Sequence, residues 1–505
     1  MPHQSVGNQK KRVIVIGAGI GGLTAGALLA RRGHEVLILD QAIVPGGCAS
    51  TFKRKGFTFD VGATQVAGLE PGGIHHLIFS KLGIELPQVT PCDPACAVFL
   101  PGEDSPINVW RDPEKWQEER QKQFPGSEGF WRLLKNLFDA SWKFQGRNPV
   151  LPPRNLWDLW QLTKAVRPST LITVPYTLFT VGDALRFCGQ GNNHRLRQFL
   201  DLQLKLYSQV NAEETALLYA ATALSVSQEP QGLYHLEGSM QILSDRLVEA
   251  LEKYGGKLLM RHTVEGIEVK NGKANAVIIR NQKTGDVWTE DADHIVANVT
   301  VQNFVQLLGE QVPQGYKKRV ENLPPASGAF VIYLGVDESA VPPGCPPHLQ
   351  FMYDANGPIG ENNSLFVSVS RSGDGRAPAG QATIIASSFV DPTPWWETQD
   401  YQKLKQRYTQ EAISRLNTYF YLKPETIIHV EAATPTTFAK YTARDQGIVG
   451  GIGQRIPTFG PFGFANRTPV KNLWLVGDST HPGEGTAGVS YSALTVVRQI
   501  MKATK

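Results

Sequence analysis

The chain runs to 505 residues and 55.5 kDa, which at about 150 residues per domain allows roughly three domain-sized pieces. Apolar residues at 41%, charged residues at 19% and aromatics at 9% form an ordinary globular balance that excludes a disordered, collagen-like or coiled-coil chain. Fifty Lys and Arg against 46 Asp and Glu leave a net charge of +4, too small over this length to make nucleic acid the partner.

Arg12 to Ile16 is a β-branched run that stops at glycines, as a buried parallel strand does. Leu23, Ala27 and Leu28 mark a helix ended by Gly33, and Glu35 to Leu39 reads as a second strand that closes a βαβ unit. Between the first strand and the helix, Gly17, Gly19 and Gly22 satisfy GxGxxG in the context that motif requires. Gly17 permits the tight turn, Gly19 lets a pyrophosphate approach the backbone, and Gly22 lets the helix pack close to the strand. The helix amino terminus can then hold phosphates. Asp40 ends the second strand, where a carboxylate accepts hydrogen bonds from a ribose diol. Pro45-Gly46-Gly47 and then Gly56 to Thr64, which contains Gly62, allow a second close passage along an extended ligand; this separates FAD from NAD.

The five cysteines, Cys48, Cys92, Cys96, Cys188 and Cys345, are scattered, so a reducing compartment is favoured over a disulfide framework. Cys92 and Cys96 have no second Cys or His pair nearby, and no metal is expected. Met1 to Lys11 is polar, without signal-peptide character. The most apolar window, Leu171 to Val181, is about half the length of a spanning helix, so no transmembrane segment is expected. From Trp131 to Arg167 aromatic and basic residues interleave, opposed only by Asp139 and Asp158. That mixture fits a membrane interface or a domain surface with snorkelling side chains equally well.

Met240 to Tyr254 reads as a helix stopped by Gly255-Gly256, followed by strands at Lys257 to Met260, Val264 to Lys270, Ala274 to Arg280 and His294 to Ala297. A last buried strand, Asn472 to Val476, ends at Gly477, and a helix runs from about Thr486 to Met501. Three separated segments thus contribute to one sheet, and the segments between them form a second layer or domain.

The order Gly17 to Gly22, Asp40, Gly46-Gly47, Gly238 to Val264 and finally Gly477-Asp478-Ser479-Thr480-His481-Pro482-Gly483-Glu484-Gly485-Thr486-Ala487-Gly488-Val489 resembles the FAD-dependent carotenoid desaturase and isomerase family of the amine oxidase superfamily. The resemblance implies an α/β fold: a Rossmann-like FAD-binding domain of the glutathione reductase/amine oxidase type, carrying an inserted α+β substrate domain. Residues 1–90, 231–304 and 441–505 would form the discontinuous FAD-binding domain, and 91–230 with 305–440 the substrate-binding, membrane-associating region. Expected cofactor contacts are Gly17, Gly19, Gly22, Asp40, Gly46, Gly47, Gly62, Val264 at the adenine, Gly477, Asp478 at the ribityl hydroxyls, Gly488 and Val489. Cys48 stands where many relatives carry Arg, which removes a side-chain cation from that place. No cysteine follows Cys345, so FAD is expected to be non-covalent.

The implied activity is 3′,4′-desaturation of a hydroxylated carotene in myxol-type xanthophyll biosynthesis, with hydride transfer to flavin and a quinone or oxygen as electron acceptor. Alternatives are carotenoid cis–trans isomerisation with reduced FAD and, in another class, a non-catalytic lipid-binding protein like a Rab GDP-dissociation inhibitor. A carotenoid substrate and a membrane lipid surface are the expected partners, at the cytoplasmic side. His235, Glu237, His481 and Glu484 are candidates for taking a proton, with structural or cofactor-supporting roles preferred, and no catalytic acid or base is assigned. Leu171 to Phe187 reads first as a buried helix and second as the lining of a polyene tunnel.

Overall fold

The computed structural model describes residues 10–504, so the expectation for the first few residues lies outside the described range. A five-stranded sheet has the order Lys257–Met260, Glu35–Asp40, Arg12–Ile16, His294–Ala297, Leu473–Leu475, and every pairing in it is parallel. Its strands come from three distant parts of the chain. Val13, Ile14 and Val15 are fully buried, because both faces of the sheet are covered. One face carries the helices Ile20–Arg31, Gln241–Lys253 and Thr486–Ala503. The other packs against the antiparallel strands His262–Lys270 and Lys273–Asn281 and the helix Val301–Leu308. The strands expected at Val264 to Lys270 and Ala274 to Arg280 therefore cover the parallel sheet rather than extend it.

A seven-stranded, mostly antiparallel sheet has the order Ile427–Ala433, Gly328–Asp337, Gln381–Val390, Ser364–Val369, His348–Met352, Cys96–Phe99, Ile107–Val109. One face buries Phe330, Ile332 and Leu334 with Trp395, Ala412 and Leu416; the other meets Phe57, Phe59 and Phe438. A helical layer with its own core comprises Pro113–Gln123, Glu128–Gln145, His194–Ser208 and Leu217–Ala223. The fold is thus a doubly covered parallel sheet joined to an α+β half, as the sequence implies. Asp60, at the end of the hairpin strand Phe57–Asp60, pins the halves together. Its Oδ2 lies 3.1 Å from Nη2 of Arg376, and both side chains are almost wholly buried.

One local expectation fails, and one is divided. Leu171 to Phe187 is no buried helix: it breaks into the short helix Pro168–Leu171, the 3-10 turn Pro175–Leu178 and the helix Val181–Phe187, with Leu171, Ile172, Val174, Leu178 and Phe187 exposed. Pro175 cannot donate the backbone hydrogen bond that a continuous helix needs there. In the basic, aromatic stretch, Trp131 and Phe138 are core residues, and Arg147 turns inward, donating from Nε to the Ala165 carbonyl at 2.6 Å and from Nη2 to Thr170 Oγ1 at 3.0 Å. Arg154 remains exposed, and Leu156, Leu159 and Trp160 project from the helix Leu156–Ala165. No helix among the described residues is long and apolar enough to cross a membrane.

Candidate functional site

A cavity of about 1150 Å³ joins the carboxyl ends of the parallel strands to the space beneath the seven-stranded sheet and the helical layer. Open α/β sheets bind ligands at that end of their strands. The first strand ends at Ile16, and the chain turns at Gly17 with φ of +96°, a conformation that favours glycine. One turn later a Cβ on Gly22 would lie 2.0 Å from the Gly17 carbonyl oxygen, so only glycine lets the helix start this close to the strand. The Gly46 N–H donates to the Ala18 carbonyl at 2.8 Å, which closes the second glycine turn onto the first. Asp40 braces the same loop: its Oδ2 accepts from the Ala18 N–H at 2.6 Å and its Oδ1 from the Ala42 N–H at 2.7 Å.

Eleven of the twelve expected contact residues line this cavity. Gly17, Gly19, Asp40, Gly46, Gly47 and Gly62 do so from the amino-terminal segment, Val264 from the middle, and Gly477, Asp478, Gly488 and Val489 from the last. Gly22 is the exception, lying under the loop as a packing residue. The wall offers a cradle without side chains at a helix amino terminus and separate polar or apolar stations along its length, which fits a dinucleotide. Beyond it the surface becomes apolar and aromatic, with Leu206, Tyr207, Tyr219, Ala223 and Val226.

Of the four proton-handling candidates, only Glu484 reaches the cavity. Its Oε2 accepts from Gln209 Nε2 at 3.0 Å, and burial raises its carboxyl well above the usual range. His481 is buried beside Gln145, whose Nε2 donates to its Nε2 at 2.6 Å, and burial lowers its imidazole to about 3. His235 is held by Asp374 at 3.1 Å and Arg376 at 2.8 Å, while Glu237 is exposed.

Two of the wall residues that the sequence reading missed bear directly on the cradle. Asn298 follows the strand His294–Ala297, and its side chain fills the space under the glycine loop: Cβ atoms on Gly19 and Gly21 would lie 2.9 Å and 2.7 Å from its amide atoms. A polar residue closing a buried strand was the available signal. Arg444 gave no such signal. It lies in a loop distant in sequence from every motif, yet its Nη2 is 2.8 Å from Asp478 Oδ2.

Comparisons with known proteins agree with this geometry. The family described as flavin containing amine oxidoreductase matches residues 20–501. Prolycopene isomerase 1, chloroplastic, of an Oncidium hybrid cultivar is 29% identical over 96% of this chain and 83% of its own length. The 4,4'-diapophytoene desaturase (4,4'-diapolycopene-forming) of a Methylomonas species is 24% identical over 96% of this chain and 94% of its own. Among solved structures, an oxidoreductase from Methanosarcina mazei superposes with a TM-score of 0.64 at 18% identity, covering 96% of this chain and 100% of that one. The chain therefore belongs to the flavin containing amine oxidoreductase family, and it is an oxidoreductase with FAD as its cofactor.

Proposed function

We propose that this oxidoreductase acts on a carotenoid, and that the eleven cavity-lining residues above hold its FAD non-covalently, with Gly22 supporting them from below. The observation that carries the reading is the continuity of one cavity from the glycine cradle into an apolar, aromatic space, which suits a long hydrocarbon laid against the cofactor. The relatives named as acting on prolycopene and diapophytoene support the substrate class. We take 1–90, 231–304 and 441–505 as the cofactor-binding part and 91–230 with 305–440 as the substrate part. The parallel sheet draws only on the first set and the seven-stranded sheet only on the second, which supports this division.

When bound, FAD supplies a two-electron acceptor and donor. A hydrocarbon offers no group for a nucleophile or metal, so the chain's own task is to orient the polyene and exclude water. Apolar residues such as Leu206, Ala223 and Val226 do this by presenting no competing hydrogen bonds. Glu484 presents a carboxyl at the cavity wall that accepts from Gln209 and that burial raises above the usual range.

The finer reading is 3′,4′-desaturation of a hydroxylated carotene in myxol-type xanthophyll formation, with two hydrogens lost and a quinone or oxygen as final acceptor. A second reading, cis–trans isomerisation with reduced FAD and no net redox change, is favoured by the prolycopene isomerase relatives. Anaerobic incubation of protein loaded with oxidised FAD, and in parallel with chemically reduced FAD, with hydroxylated and lycopene-type carotenes separates them. A product two mass units lighter, with bleached flavin, supports desaturation; an isobaric product overturns it in favour of isomerisation; no change in either carotene overturns both.

The same reading puts the protein peripherally on the cytoplasmic face of a membrane. Its support is the exposed apolar set Leu156, Trp160, Leu171, Ile172 and Leu178, with the exposed cations Lys164 and Arg167 beside it in sequence.

A further inference from the structure

Building on the cavity as the FAD site, we propose that Arg444 is the side-chain cation that binds the cofactor's diphosphate. A diphosphate brings two negative charges into a wall that already carries Asp40, Glu265, Asp478 and Glu484. Among the described residues, the Lys and Arg side chains on that wall are Lys143 and Arg444. Lys143 is exposed and belongs to the helical layer, whereas only 17% of the Arg444 side chain is exposed. The helix Pro435–Thr442, which leads to Arg444, packs against the turn Gly47–Ala49, the second glycine turn of the cradle. Arg444 thus brings its charge to the place where Cys48 carries none.

The guanidinium is also oriented for a further partner. Nε donates to the Ile448 carbonyl at 2.6 Å, and Nη2, 2.8 Å from Asp478 Oδ2, is buried without a hydrogen-bond partner among the described residues. The preceding residue, Ala443, has φ of +58°, a left-handed conformation that alanine rarely adopts and that the fold maintains next to this side chain. A planar fork can span a carboxylate on one edge and a phosphate on the other, which an ammonium point charge does less well.

The test is titration of apoprotein with FAD, followed by flavin fluorescence. Arg444→Gln is expected to weaken binding roughly 10- to 100-fold, the scale of one charge-assisted hydrogen bond. Adding Cys48→Arg to that variant is expected to recover much of the loss. The loss is also expected to persist in the Asp478→Asn background. No loss from Arg444→Gln, or a loss that vanishes when Asp478 is neutralised, overturns the proposal and leaves Arg444 as a partner of Asp478 alone. If Arg444→Gln does not fold, judged by circular dichroism, Arg444→Lys carries the same comparison with a smaller loss expected. Gly19→Leu is the control on the site itself: unchanged FAD affinity there refutes the cavity as the FAD site, whatever Arg444 does.

Discussion

The glycine cradle and the apolar surface of residues 156–187 are built on opposite principles. In the cradle the backbone itself is the working surface, and an added carbon at Gly17, Gly21 or Gly22 would lie 2.0 to 2.7 Å from another residue's atoms. On the apolar surface the working groups are side chains that touch little, with Leu156 at 85% and Trp160 at 57% exposure. The first leaves little room for a side chain at Gly17, Gly21 and Gly22 and so leaves a strict motif. The second needs only apolar area, and many sequences supply that.

Changes on the cradle side should therefore cost stability, while those on the surface should cost only association. The largest effect is expected from Arg376→Met, which leaves Asp60 buried without its cation beside the loop that carries Gly62. Loss of one partner from such a pair costs about 3–5 kcal/mol, readable as a lower urea midpoint. A shift under about 1 kcal/mol would mean that water reaches Asp60 and that the junction is looser than the structure shows.

Acid comes next. Burial lowers His75 and His294 to about 4 and His481 to about 3, from an ordinary value of 6.5. The unfolded chain takes up protons at these imidazoles before the folded chain does, so their stabilising contribution is complete above 6.5 and is lost as pH falls towards 4. The slope approaches about 1.4 kcal/mol per pH unit for each imidazole, and denaturation midpoints at pH 7.5, 6 and 5 would read it. A flat profile would show that these rings are solvated.

Gly22→Ala should cost about 1–3 kcal/mol by overpacking and weaken FAD retention, seen as a lower melting temperature and less bound flavin. The smallest change in stability, within about 0.5 kcal/mol, is expected from the double substitution Leu156→Ser and Trp160→Ser. That variant should nevertheless lose flotation with anionic liposomes. If it floats as well as the unmodified protein, the apolar surface is not the membrane contact; if it unfolds, the two regions are not built on separate principles.

The cradle was legible because its chemistry is local. Gly17, Gly19, Gly22 and Asp40 fall within one βαβ unit, and the physics of a tight turn and a helix terminus requires those residue types at that spacing. The strands at Arg12–Ile16, His294–Ala297 and Leu473–Leu475 were equally readable, since burial on both faces demands unbroken apolar runs. The 131–187 region was read less well. Aromatic and basic residues in alternation give the same composition whether a ring is packed inside, like Trp131, or held out to solvent, like Trp160.

The sequence by itself determined the fold class, the parallel sheet assembled from three segments, and the cofactor, because strand burial and the glycine turns are properties of short stretches of chain. Only the tertiary structure decided that Arg147 turns inward, that Leu171 to Phe187 breaks, with Leu171, Ile172, Val174 and Leu178 outward and Val181, Ala184 and Leu185 in the core, and that Arg444 meets Asp478. These depend on which distant segments become neighbours, and no local pattern encodes the position of a buried charge relative to a partner far along the chain.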